Sequence, residues 1–187
     1  CALPICVVSF ESEELILVNE RDEELGHLDK GACHDGEGVL HRAFSVFVFN
    51  DAGELLLQQR ARGKRLWPGF WSNSCCSHPR RGETMSIATE RRLEQELGIR
   101  ADLRFLFKFQ YAASFGEAGS ERELCWVYAG RSSQTPRVNP TEIEACRYVA
   151  PADLDAEVAT QPERFTPWFR LEWQRIRERH MDEIAAL

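Results

Sequence analysis

The sequence predicts an α/β (α+β) single domain, a mixed sheet with flanking helices, and three observations carry that prediction. The chain has 187 residues, the length of one domain. It is 43% hydrophobic and 28% charged, a globular balance that allows a substantial buried core. Stretches with strand character alternate with stretches of helical spacing in the order hairpin, helix, hairpin, helix, which calls for a sheet covered by helices. We therefore expect one domain over 1–187, with residues 1–11 as a loosely ordered N-terminal extension.

Taken in chain order, ELILVN (14–19) reads as a strand. AFSVFVFN (43–50) is a strong strand, a DAG turn follows, and ELLLQQR (54–60) is the next strand, so 43–60 reads as a hairpin. Residues 61–83, ARGKRLWPGFWSNSCCSHPRRGE, read as a long irregular loop. Loops of that length on compact domains are often functional. TMSIATERRLEQELG (84–98) reads as a helix closed by Gly98. DLRFLFKFQYAAS (102–114) and RELCWVYAG (122–130) read as strands joined by a loop. RYVA (147–150) is a short strand and PADLDAEVA (151–159) a short helix. From about residue 163, Phe165, Trp168, Phe169, Leu171, Trp173, Ile176 and Ile184 have helical spacing. The chain contains no internal repeat and no low-complexity tract.

Composition narrows the partners. A formal net charge of −7 without a basic stripe argues against nucleic acid. No apolar run approaches the roughly 20 residues of a membrane span, and the start CALPICVVSF has no basic n-region, so no membrane partner is expected. The seven cysteines, at 1, 6, 33, 75, 76, 125 and 146, are odd in number and irregular in spacing, unlike a disulfide framework or a CxxC zinc site. The adjacent pair Cys75 and Cys76 would close a strained ring. Free thiols in a reducing, cytoplasmic compartment are expected. Monomer and homodimer both remain open.

Several side chains carry chemistry. His34 and His41 flank a Gly-rich turn, and His78 lies in the cysteine loop. A lone histidine is more often structural, but three beside irregular segments suggest a site for a divalent first-row metal. Glu121 and Glu123 are two apart at the start of a strand, so both point to one face and Arg122 to the other. With the histidines they make a five-ligand N/O set suited to Mn, Mg or Zn. Ser77, Glu83 and RRLEQELGI (91–99) follow the spacing of the Nudix box, with Ser77, Arg92 and Gln95 at positions where the box has Gly, Glu and Glu. Arg92 and Glu96 stand at i,i+4 on one helix face, placing one cation and one carboxylate where a diphosphate and Mg²⁺ could sit. Lys30, Arg60, Arg62, Lys64 and Arg65 make a local basic cluster on an acidic chain, which suggests an anionic ligand.

Assembled in order, these pieces resemble the type I isopentenyl diphosphate isomerases, a branch of the Nudix fold. They are His34 and HRAFS (41–45), then Arg60, Lys64 and WPGFWSN (67–73) running into SCCSHP (74–79). Arg91, Arg92, ELG (96–98), Tyr111, ERELC (121–125) and FTPW (165–168) follow. They span about residues 12–180. The resemblance implies a Nudix-like sheet and interconversion of isopentenyl and dimethylallyl diphosphate through a tertiary carbocation. It implies that His34, His41, His78, Glu121 and Glu123 bind Mn²⁺ (or Zn²⁺ or Mg²⁺). Glu96 and the backbone carbonyl of Cys76 would bind a Mg²⁺ that also holds the diphosphate, and Lys30, Arg60, Lys64 and Arg92 would contact that diphosphate. Cys76 and Glu123 would be the acid/base pair, Tyr111 would assist, and Trp168 would offer its π face to the cation. A Nudix hydrolase of a nucleoside diphosphate derivative and a catalytically silent diphosphate-binding protein are the alternatives. The incomplete box argues against the first and the complete acid/base set against the second.

Overall fold

The computed structural model describes residues 6–187; Cys1 lies outside them. Strand β3 (His41–Phe49) runs through the middle of a nine-stranded mixed sheet, and its last seven residues are all buried. A run without polar alternation is a strand covered on both faces. Along β3 lies β8 (Ser120–Arg131), parallel over nine pairs from His41↔Glu123 to Phe49↔Arg131. The remaining partners of β3 are β1 (Glu14–Val18), β6 (Cys75–Ser77) and β4 (Leu55–Arg60), all antiparallel. β2 (Glu24–Asp29) pairs with β1, and β7 (Asp102–Ser114) with β8. β5 (Trp71–Ser72) and β9 (Ile143–Val149) pair with β4.

Alternation along β3 divides the interior into two cores. Ala43, Phe47 and Phe49 join Cys125 and Val127 of β8 under helix α4 (Pro167–Arg179), which contributes Trp168, Phe169, Trp173 and Ile176. Phe44, Val46 and Val48 join Cys75 under α2 (Met85–Leu97), which contributes Ala88, Leu93 and Leu97. Three shorter helices complete the domain: α1 (Lys30–Cys33), α3 (Pro151–Thr160) and α5 (Met181–Ala185). α2 begins and ends as its sequence predicts. The Thr84 hydroxyl accepts from Ile87 N at 3.3 Å, and Gly98 turns left-handed at φ 62°.

Two expectations are corrected between residues 41 and 83. β3 and β4 are not a regular hairpin, since they meet only at Phe49↔Leu55. Beyond that pair the segment 71–77 fits between them, so the expected irregular loop is partly strand. Buried side-chain hydrogen bonds are the reason. The Ser74 hydroxyl accepts from Val48 N (2.8 Å) and donates to Leu56 O (2.6 Å), bridging the two strands. Asn73 donates to Val46 O (3.3 Å) and Cys75 O (2.7 Å). Such bonds substitute for ladder rungs and leave no trace in hydrophobic periodicity. Cys75 and Cys76 thus stand on a strand, facing opposite cores. β2, a half-exposed edge strand without alternation, and α1 were not predicted. The C-terminal helical stretch divides at His180 into α4 and α5.

Candidate active site

The α4 face of the sheet gathers the polar residues that its apolar core does not absorb. His41 opens β3 opposite Glu123 of β8, so the two share a face. Glu121, two residues earlier on β8, shares it too, and Arg122 is exposed. His78 follows β6. His34 ends α1, tied to the start of β8 by Ser120 N donating to His34 O at 2.9 Å. The three imidazole centroids lie 4.8 to 5.4 Å apart. One ligand atom each from His34, His41, His78 and Glu121 falls within 4.8 Å of the others. Glu123 adjoins this set: its Oε1 is 2.9 Å from His78 Nε2 and 3.8 Å from His41 Nε2.

These donors fit a metal ion. His34 Nε2 and Glu121 Oε2 are 2.9 Å apart and buried, and neither has a hydrogen-bond partner of good geometry. His41 Nε2 is likewise buried without a partner. Its Nδ1 donates to Val39 O at 2.7 Å, which leaves the Nε2 lone pair for a ligand. Burial, then the His34 charge, lowers the pKa of His41 to about 4. Burial and the neighbouring His41 hold His78 well below the usual range, so both rings stay neutral, the ligating form. Burial would raise the Glu121 carboxyl, but His34, His41 and Arg60 together outweigh it and bring the pKa to about 2. The cluster could therefore hold a divalent cation.

Beside it lies a set of proton-transfer groups. Tyr111 of β7 is the cross-strand partner of Glu123, and its hydroxyl donates to Glu123 Oε2 at 2.7 Å. Burial, followed by the adjacent Glu121, raises the Glu123 carboxyl well above its usual range, and burial and Glu123 raise the Tyr111 phenol. Cys76 points to the same core face. Burial lifts its thiol to about 12, against the pull of Arg60, whose Nη1 lies 3.8 Å from the sulfur. The Trp168 ring, almost fully buried, packs 6.1 Å from the Tyr111 ring and edge-on to Trp67 at 5.2 Å.

Lys30, Lys64 and Arg92 line the same cleft. The Lys30 ammonium donates to Ser9 Oγ at 2.5 Å; burial, Lys64 and Arg92 lower its pKa. Arg92 Nε donates to Glu96 Oε1 at 2.8 Å, its Nη2 pairs with Glu142 at 3.0 Å, and Lys64 pairs with the same Glu142 oxygen. Of the sequence-predicted residues, all but His41 and Glu96 line this cleft, and those two stand directly behind it. Arg60 is engaged differently from the other cations. It donates to Leu66 O at 2.8 Å and Trp67 O at 3.2 Å, approaches the Cys76 sulfur, and lies 5.2 Å over the Trp168 ring. Trp67 turns left-handed at φ 47° beside these contacts, a conformation a non-glycine residue seldom adopts. Of the other two members of the basic cluster, Arg62 is exposed on Glu144 and does not line the cleft, while Arg65 lines it and ties Gly31, Asp35 and Ala118 together. The incomplete Nudix box is explained locally: Arg91 neutralises Glu83 at 2.7 Å and contacts Gln95, leaving Glu96 as the carboxylate that approaches the cleft.

Sequence reasoning missed Glu142 and Glu172. Glu142 lies in an irregular stretch and carried no signal. Glu172 had one, a charged residue interrupting the apolar stripe of α4.

A mixed sheet with a long helix packed on each face, and a polar cleft opening beside the central strand, defines a Nudix-type domain. Residues 39–169 match the NUDIX domain model. The crystal structure of DR0079 from Deinococcus radiodurans superposes with a TM-score of 0.72 at 28% identity, covering 87% of this chain and 98% of that one. Isopentenyl-diphosphate Delta-isomerase 1 of Photorhabdus laumondii is 42% identical over 175 residues, 92% of this chain and 99% of its own length. The isopentenyl-diphosphate Delta-isomerase of Halorhodospira halophila is 42% identical over 160 residues, 84% of this chain and 91% of its own. The chain belongs to the isopentenyl-diphosphate Delta-isomerase family of Nudix-domain proteins.

Proposed function

We propose that this chain interconverts isopentenyl diphosphate and dimethylallyl diphosphate, supplying precursors for isoprenoid synthesis, and that the cleft beside β3 is where it does so. One observation carries the assignment of the site: two proton-transfer groups, the half-buried Cys76 thiol and the buried, Tyr111-bonded Glu123 carboxyl, line one cleft together with Lys30, Lys64 and Arg92. Isopentenyl diphosphate needs that combination. Its diphosphate is met by Lys30, Lys64 and Arg92. Its alkene must gain a proton at the terminal carbon and lose one from the carbon on the far side of the double bond.

Cys76 and Glu123 divide these two transfers, one giving its proton as the other takes one, with roles exchanged in the reverse direction. Tyr111 holds the Glu123 carboxyl in place and shares its proton. Trp168 turns a π face toward the tertiary carbocation between the two steps. The surrounding Trp67, Phe115 and Phe70 exclude the water that would quench it. Arg60, bound to the Leu66 and Trp67 carbonyls and close to the Cys76 sulfur, orients the loop and the thiol while meeting the diphosphate edge.

The metal assignments are part of the proposal. Mn²⁺, or Zn²⁺ or Mg²⁺ in its place, fits His34, His41, His78, Glu121 and Glu123; Mg²⁺ with the diphosphate fits Glu96 and the Cys76 carbonyl. Bound there, such cations supply charge that keeps Glu123 ionisable and neutralises phosphate oxygens. No helix among the described residues is long and apolar enough to cross a membrane. We take the substrate as a free small molecule, with no nucleic-acid or membrane partner, handled in the cytoplasm by a monomer or homodimer.

The test is incubation with isopentenyl diphosphate, Mg²⁺ and Mn²⁺, followed by proton and phosphorus NMR. The expected product is the dimethylallyl isomer with no phosphate released. Phosphate release would favour the Nudix hydrolase alternative. Substrate binding with neither change would mean a silent diphosphate-binding protein.

A further inference from the structure

Glu172 is a carboxyl in an aromatic core. It stands on α4 among Trp168, Phe169, Trp173 and Ile176, and it is wholly buried. Oε1 accepts from Cys125 Sγ at 3.5 Å, the same sulfur lies 3.5 Å from Ser45 Oγ, and Oε2 has no hydrogen-bond partner. No lysine, arginine or histidine pairs with it among the described residues. A buried carboxyl without a cation costs free energy that an apolar side chain of its size would not. Packing alone gives no reason for it.

Its position does. Ser45 is the cross-strand partner of Cys76, and directly opposed residues share a face. Cys125 lies two residues beyond Glu123 on β8 and shares its face. Trp168 is one helical turn before Glu172 on the same side of α4. Glu172 therefore stands behind the thiol, the carboxyl and the indole at once. Glu142 and Glu96 balance Lys64 and Arg92. Arg60, which pairs with no carboxylate among the described residues, lies 5.2 Å over the Trp168 ring and 3.8 Å from the Cys76 sulfur, and a metal ion on the histidines would add to its positive potential. A carbocation formed there arises in an unfavourable field.

We propose, resting on the isomerase chemistry of the preceding subsection, that Glu172 is an electrostatic positioning residue, whose buried carboxyl offsets the cleft's cations where positive charge develops on the substrate. Burial lifts its pKa to about 8, and a divalent ion bound on the same sheet face would favour its ionised form.

Glu172→Gln keeps size and hydrogen bonding but cannot ionise. Two unreactive diphosphates then separate charge from fit: one with a saturated branched tail, and one with a tertiary ammonium where the carbocation would form. The variant should bind the saturated compound as the wild type does. It should lose affinity for the ammonium compound on the order of tenfold, the scale of one pKa unit of differential interaction, with kcat falling similarly and KM unchanged. Metal content and unfolding midpoint should hold or rise. Equal shifts for both compounds, or none for either, would overturn the proposal. Glu172→Leu, whose side chain suits the aromatic core, repeats the comparison if the amide does not fold. The outcomes also separate the two ideas. A wild type that isomerises beside a Gln variant that keeps its ammonium preference sinks only the role of Glu172. A wild type that prefers the ammonium compound through Glu172 but does not isomerise sinks only the activity.

Discussion

Gly119→Ala should disable the histidine site from outside it. Gly119 closes the turn before β8 at φ 130° and ψ −165°, a region that glycine alone adopts without strain. A Cβ there would fall inside the van der Waals envelope of the His34 carbonyl oxygen and 3.1 Å from Arg65 Nη2. Restoring an ordinary C···O separation of about 3.3 Å requires a backbone shift of about 1 Å. That shift breaks the 2.9 Å bond from Ser120 N to His34 O, leaving buried groups unpaired at about 1–3 kcal/mol. The strained conformation costs a further 1–3 kcal/mol or so. A total of about 4 kcal/mol corresponds to a fall of roughly 8–16 °C in unfolding midpoint for a domain of this size. His34 also moves relative to Glu121, now 2.9 Å away, and displaced orientation of a ligand typically costs about 10–100-fold in metal affinity. The assay is calorimetry together with metal content after dialysis against a weak chelator. Gly116→Ala is the control: Gly116 has φ 58° but nothing within 4 Å of its Cβ position, so it should lose about 1 kcal/mol and no metal. If Gly119→Ala matches that control in midpoint and metal, the turn gives way freely and His34 is not held as described.

Cys76→Ala should abolish isomerisation while Cys75→Ala, altering a side chain in the opposite core, leaves most of it; a fully active Cys76→Ala would sink the acid/base assignment. Glu123→Gln should fold and lose turnover by roughly 10² or more, the scale of general acid–base catalysis, with metal content measured beside the rate. A metal-replete, active variant would move that role to Tyr111. In the series Trp168→Phe and Trp168→Leu, measured well below the unfolding midpoints, kcat should fall stepwise. The full loss should be about thirtyfold if a cation–π contact of about 2 kcal/mol is removed. Turnover that tracks stability instead would make Trp168 a packing residue.

Much of the site is legible in the sequence. Glu121 and Glu123 sit on one face because strand geometry makes every second residue share a face, and that needs no tertiary knowledge. Arg92 and Glu96 meet because a helix brings i and i+4 together. Gly98 ends α2 for a reason local to its own backbone. The histidines differ: His34, His41 and His78 come from three elements, and their spacing says nothing about the 4.8 Å within which their ligand atoms meet Glu121. Arg60 shows the limit from the other side. It looked like one cation among several, but the left-handed turn at Trp67 aims two carbonyls at it.

By itself, then, the sequence determined most of the longer elements, the shared face of Glu121 and Glu123, the Gly98 cap of α2 and the motif order, all set by interactions within a few residues. Tertiary structure alone decided that β3 and β4 part to admit 71–77, because that depends on a Ser74 hydroxyl finding Val48 and Leu56. It alone decided that Glu142 pairs with Lys64 and Arg92, and that Glu172 stands behind Cys76 and Glu123. Those are long-range pairings of polar groups inside a low-dielectric interior. Each depends on partners distant in the chain, so no local pattern encodes them.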